Sequence, residues 1–124
     1  MEEKVFFLGA QNDIYRYLIA GDIFVQPSLH ENHSISLLEA AASKISIICT
    51  DVGGNKEIVC DKGGVIISSN NIDQLVGAIK ELISNEQKRK EYSTNEYNYQ
   101  KEKFSDKVVD YQLDKLYQQL LKRK

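Results

Sequence analysis

Residues 45–50 read ISIICT, six consecutive uncharged residues rich in β-branched side chains, with no alternation between apolar and polar positions. A strand with one wet face alternates. One that does not alternate is covered on both faces, which is the habit of parallel sheets under helices. The flanking sequence supplies the covering elements. On the N-terminal side, Ser34 is placed to cap a helix with Ile35, Leu38 and Ala42 along one face. On the C-terminal side come a glycine turn at residues 51–55 and a short strand at 64–67. Residues 71–84 then read as a helix with Ile72, Leu75, Val76, Ile79 and Leu82 or Ile83 facing inward.

The earlier chain repeats the pattern. Residues 5–8 (VFFL), stopped by Gly9, are expected to form a buried strand. Residues 13–20 carry Ile14, Tyr17 and Leu18 at helical spacing and end at Gly21. Residues 23–25 form the next strand, stopped by the single proline, Pro27. Such alternation predicts right-handed βαβ units in a doubly wound α/β layer. Residues 86–103 are charged, tyrosine-rich and weakly periodic, whereas Val109, Leu113, Leu116, Leu120 and Leu121 give the last helix an apolar stripe. Both stretches are expected as helices on the flank of the sheet, reaching toward a partner.

Composition narrows the class. A chain of 124 residues, 42% hydrophobic and 27% charged, suits a single soluble domain with a modest core. Its formal net charge of −2 gives no electrostatic footprint for nucleic acid. The densest basic cluster, Lys122, Arg123 and Lys124, reads as a solvated tail. No apolar stretch is long enough to cross a bilayer, and the start MEEKVFF is acidic where a signal peptide is basic, so the expected setting is cytoplasmic. Cys49 and Cys60 fall in no metal-ligand spacing and read as ordinary thiols, Cys49 buried.

The segment HENHSISLLEAA, beginning at His30, holds the residues with chemical potential. Ligands of open parallel sheets sit beyond the carboxyl ends of strands, beside helix N-termini whose free N–H groups favour anions. The amides of His33, Ser34 and Ile35 offer a phosphate such a place. On a helix Glu39 lies about 40° from Ile35 and about 60° from Ala42. That is the edge of the expected apolar face, where a partly desolvated carboxylate needs donors. A sugar's vicinal hydroxyls supply two. A local alternative stays open on the residues alone: Glu39 complements the positive end of its helix, and Glu31 is solvated in the loop.

Read together, the segments VFFLG, YLIAGDIFVQPS, ENHSISLLE, AAASKISIICTDVGGNKEIV and KFSDKVVDYQLDKLYQQLL resemble, in order and spacing, one known family. The chain resembles the C-terminal, donor-binding half of retaining GT-B glycosyltransferases of the GT4 family, the glycosyl transferases group 1 type. The resemblance implies a Rossmann-like parallel sheet flanked by helices, a partial C-terminal domain of the GT-B fold, with βα units over residues 1–85 and C-terminal helices over 86–124. It implies that Glu31, first of the E-x7-E pair and the catalytic candidate, lies beside the donor sugar and contacts its hydroxyls or supports the reacting centre, and that Glu39 holds the ribose hydroxyls. It places the amides of His33, Ser34 and Ile35 at the diphosphate and sugar, Gly9 to Asn12 beside the nucleobase, and Gly53 and Gly54 in a turn near the cleft, followed by acidic Glu57. For the two glycines a positive φ after a strand is explanation enough without a ligand.

The implied partners are a nucleoside-diphosphate sugar and, in the full enzyme, a glycan or glycolipid acceptor, at the inner face of a membrane in polysaccharide biosynthesis. No cofactor or divalent metal is implied, since no Asp-x-Asp pair occurs. Where relatives carry Gly-Phe-Gly and a later proline, this chain has Asn32, His33, Ser34 and Ser36, which leaves the sugar unassigned. The resemblance also implies that the acceptor-binding domain and the first strands of the donor-binding domain, with their diphosphate-neutralising Arg and Lys, are missing. A shortened product of that kind is expected to be inactive alone and to self-associate through an uncovered sheet edge. The competing expectation is a non-catalytic nucleotide-binding or interaction half-domain that needs a separate N-terminal part. A GT-B nucleotide-sugar epimerase finds no support in the glutamate and histidine arrangement.

Overall fold

A computed structural model describes residues 4–122. Three parallel strands, β1 (Ile23–Gln26), β2 (Ser46–Thr50) and β3 (Gly64–Ile67), lie in that order across one sheet. Gln26 is paired with Cys49, and Thr50 with Ile67, so the carboxyl ends of all three strands meet at one edge. The helices are α1 (Ile14–Ala20), α2 (Ile35–Ala42), α3 (Asn55–Ile58), α4 (Ile72–Ser84), α5 (Glu86–Phe104) and α6 (Asp106–Leu121). Helix α2 connects β1 to β2, and the single turn of α3 connects β2 to β3. The expected α/β class, a parallel sheet flanked by helices, is what the chain forms.

All five residues of β2 are buried, and their side chains divide between two cores. Ile47 and Cys49 pack with Leu37, Ala40 and Ala41 of α2 and with Ile58 and Val59. Ile48 packs on the other side with Ile67 and with Ala78 and Leu82 of α4. The non-alternating ISIICT run has the two-sided cover that it demands.

Helix α2 begins where expected, with Ser34 Oγ accepting from the Leu37 N–H, but it presents a different face to the core. Leu37, Ala40 and Ala41 are completely buried, while Ile35 and Glu39 are exposed, Ala42 is exposed and Leu38 is half-buried. The expected stripe of Ile35, Leu38 and Ala42 is therefore rotated away from the sheet. The physical reason is closeness: two methyl side chains let the α2 backbone lie against both β2 and α5, which a face with Ile35 at its centre does not allow. In α4 the inward residues Leu75, Ile79 and Leu82 hold, Ala78 joins them, and Ile72, Val76 and Ile83 are exposed.

Residues 5–8 do not form the expected strand. Val5, Phe6, Phe7 and Leu8 are exposed, Phe7 by 97%, because no strand among the described residues stands beside them to take their backbone hydrogen bonds. Residues 86–103 do belong to one helix, α5, in spite of their weak periodicity. It packs on α2, α4 and β2. Helix α6 buries no residue, and its stripe of Val109, Leu113, Leu116, Leu120 and Leu121 is open. Arg123 and Lys124 lie outside the described residues. No described helix is long and apolar enough to cross a membrane.

Candidate functional site

The loop from β1 to α2 leaves the carboxyl edge of the sheet and is held by a polar network that begins in the strand itself. Gln26, the last residue of β1, donates from Nε2 to Glu31 Oε1 at 2.6 Å. The Ser28 hydroxyl donates to the same oxygen at 2.8 Å. Ser34 Oγ accepts from Gln26 Nε2 at 2.9 Å and from the Leu37 N–H at 3.3 Å, so one hydroxyl both caps α2 and ties it to β1. The loop is also fixed to the central strand, since Thr50 Oγ1 donates to the Ser28 carbonyl at 2.6 Å.

This network makes Glu31 asymmetric. Its Oε1 is saturated by two donors, while Oε2 accepts no hydrogen bond among the described residues. A half-buried carboxylate with one oxygen clamped is held in a single orientation. Glu39 stands two turns further along α2. Its carboxylate is exposed and makes no hydrogen bond or ion pair among the described residues, because the buried face of α2 points about 150° away from it. The expected partial desolvation of Glu39 is thus not present in this chain. The amides of His33, Ser34 and Ile35 have no acceptor among the described residues, as the geometry of a helix start requires.

The glycine turn closes the loop from the other side. An ideal Cβ on Gly53, whose φ is +52°, would lie 2.0 Å from the Glu31 carbonyl oxygen. Gly54 has an ordinary φ of −85°, so its glycine is required by proximity instead: its Cβ would meet the Asn32 carbonyl oxygen at 2.8 Å. Its N–H donates to that oxygen at 2.6 Å. Positive φ explains only the first of the pair. Buried Asn55 supports the turn, donating from Nδ2 to the Thr50 carbonyl at 2.9 Å. Glu57 is exposed, and its carbonyl accepts from the Tyr99 hydroxyl at 3.2 Å.

The structure therefore brings together Glu31, His33, Ser34, Ile35, Gly53 and Gly54. Gly9, with φ +65° and nothing within 4 Å of its missing Cβ, and Asn12 lie in the exposed segment before α1, with no hydrogen bond to the loop. Gln26, Ser28 and Thr50 were not legible as site residues. The available signal was polarity at strand ends, where buried hydroxyls and amides must find partners. Among the described residues no group of three His, Cys, Asp or Glu side chains is placed to hold a metal ion. Away from the loop, Cys49 and Cys60 are free thiols; burial, helped by nearby Glu96, pushes each up to about 12.

The fold that carries this loop is shared with known proteins. The family described as glycosyl transferases group 1 matches residues 1–99. This chain belongs to that family. Among curated relatives of this group 1 chain, the Escherichia coli UDP-Gal:alpha-D-GlcNAc-diphosphoundecaprenol alpha-1,3-galactosyltransferase is 34% identical over 80 residues, which are 64% of this chain and 21% of that protein. The Campylobacter jejuni N-acetylgalactosamine-N,N'-diacetylbacillosaminyl-diphospho-undecaprenol 4-alpha-N-acetylgalactosaminyltransferase is 30% identical over 94 residues, 74% of this chain and 26% of that protein. The chain thus spans about a quarter or less of these relatives' length. Among solved structures, Anabaena HepE in complex with UDP superposes with a TM-score of 0.90 at 22% identity, over 95% of this chain and 33% of that one. The C-terminal domain of a Francisella tularensis group 1 protein, LpcC, superposes with a TM-score of 0.72 at 29% identity, over 82% of this chain and 53% of that one.

Proposed function

We propose that this glycosyltransferase group 1 chain is the nucleotide-sugar-binding part of a longer, retaining, metal-independent enzyme that moves a sugar from a nucleoside-diphosphate donor to an acceptor hydroxyl. The observation that carries the reading is the asymmetric clamp on Glu31, with one oxygen held by Gln26 and Ser28 and the other without a protein partner, beside a capped helix start. The Anabaena relative was solved with UDP and with UDP-glucose, which supports a donor of that chemical class.

In this reading the bond between the anomeric carbon and the diphosphate oxygen breaks with oxocarbenium character. The acceptor oxygen then bonds to the same face of that carbon, and its proton leaves with the diphosphate. The free oxygen of Glu31 positions the sugar and meets developing positive charge. Glu39, open on α2, takes the ribose hydroxyls, and the amides of His33, Ser34 and Ile35 stabilise the leaving phosphate. The acceptor and its binding surface belong to the rest of the enzyme. The two relatives above are named for diphospho-undecaprenol-linked sugars, so a glycolipid acceptor at a membrane surface is the matching expectation.

Calorimetric titration of the chain with UDP, GDP and ADP tests the reading. Saturable binding of one nucleotide, weakened at least about tenfold by Glu39→Ala, is expected from the loss of a charged bidentate contact. Equal binding by the variant would remove Glu39 from the site. Binding without sugar transfer, even when an acceptor is supplied, is the expected behaviour of the isolated chain.

A further inference from the structure

Phe104 is the last residue of α5, and Ser105, in extended conformation, separates it from α6. The Phe104 ring stands edge-on to the His33 imidazole, with centroids 5.7 Å apart at 62°. Tyr99 meets the same ring at 6.1 Å and 72°, and its hydroxyl anchors on the Glu57 carbonyl of α3. His33 also lies close to Gly54, where an added Cβ would stand 3.3 Å from His33 Cδ2. The loop therefore has several anchors, among them the Gly54 N–H on the Asn32 carbonyl. Gln26 and Ser28 hold Glu31 and the cap at Ser34. Exposed His33, edge-on to Phe104, adds an aromatic contact between those two points.

We propose that Phe104 is a positioning residue for the nucleotide site: through His33 it fixes the peptide groups that present the Ser34 and Ile35 amides, and so ties the corner between α5 and α6 to affinity for the diphosphate. The inference rests on the donor-site reading above. The separation of anchors gives it a distinctive signature. Removing the Phe104 ring leaves the bonds of Glu31, the Ser34 cap and exposed Glu39 in place, so contacts to a ribose persist while contacts to phosphate loosen. An edge-to-face aromatic contact corresponds to roughly a twofold to tenfold change in affinity when it is lost.

The test uses the full chain as wild type, Phe104→Ala and Phe104→Tyr. Amide hydrogen exchange is followed without ligand, and UDP, GDP and ADP are titrated beside uridine, guanosine and adenosine. In Phe104→Ala, exchange of the Gly54 amide, which holds the Asn32 carbonyl of the loop, is expected to accelerate while β2 keeps its protection. The bound diphosphate weakens by roughly twofold to tenfold, the nucleoside is unaffected, and Phe104→Tyr restores both. Unchanged Gly54 exchange would overturn the proposal, as would equal weakening of nucleoside and diphosphate, or loss of β2 protection in step with Gly54. If the wild type binds no nucleotide, the donor-site reading fails and takes the nucleotide role of Phe104 with it. Gly54 exchange distinguishes that failure from a failure of Phe104 to hold His33.

Discussion

Two residues carry opposite lessons about what a single position can hold. Gly53 has no room for a side chain, because any Cβ would collide with the Glu31 carbonyl. Gly53→Ala is expected to cost at least about 1–3 kcal/mol, a left-handed backbone plus a displaced loop, measured as a lower denaturant midpoint. Gly9→Ala, with comparable φ but open space, is the control and should cost about 1 kcal/mol. Glu96 is the contrary case, a polar group where the pattern offers none. It is fully buried on α5, with Oε2 accepting from the Cys60 N–H at 2.9 Å and Oε1 without a partner. Burial raises its pKa, against the opposing effect of its bonds from the Cys60 N–H and thiol. The folded chain therefore keeps the Glu96 proton to higher pH than the unfolded chain does. Its contribution to stability is full below the ordinary carboxylate range and is lost as pH rises through the folded value. Glu96→Gln should flatten that decline in denaturation curves taken from below the ordinary carboxylate range upward. A slope equal to wild type would show that folding does not raise the Glu96 pKa.

Among the elements, β2 and β3 were fully legible, because period and length leave no other assignment for ISIICT or GVII. Helix α2 was legible in its start but not in its face. Ile35 is the more hydrophobic residue, yet the sheet selects Ala40 and Ala41, and closeness of approach leaves no mark in a hydropathy pattern. Spacing alone left Glu31 and Glu39 open to a local reading and the family resemblance made them a pair, whereas the Gln26 and Ser28 donors gave no signal, since a polar residue at a strand end looks the same whether or not it is bonded. The capping serine gives the test at this scale. Ser34→Ala removes the acceptor for Leu37 and one partner of Gln26, and should destabilise the chain by about 1 kcal/mol in chemical denaturation. An unchanged midpoint would mean that α2 is held by its alanine face alone.

At the scale of the molecule, much apolar surface is open among the described residues. Among the described residues, strands β1 and β3 are both sheet edges, the VFFL segment is unpaired, and the α6 stripe is uncovered. Self-association is the expected result, seen as a rise in mean mass across a concentration series in sedimentation. A mass that stays at one chain throughout would count against it. The central position of β2 has a further consequence, in the order of events during folding. Both of its neighbours run parallel to it, so neither can join through a tight hairpin, and each pairing waits for the chain to travel back across the sheet. The entropy of closing two such excursions is spent before any ladder bond forms, which places the sheet's assembly on the slow side for a chain of this size.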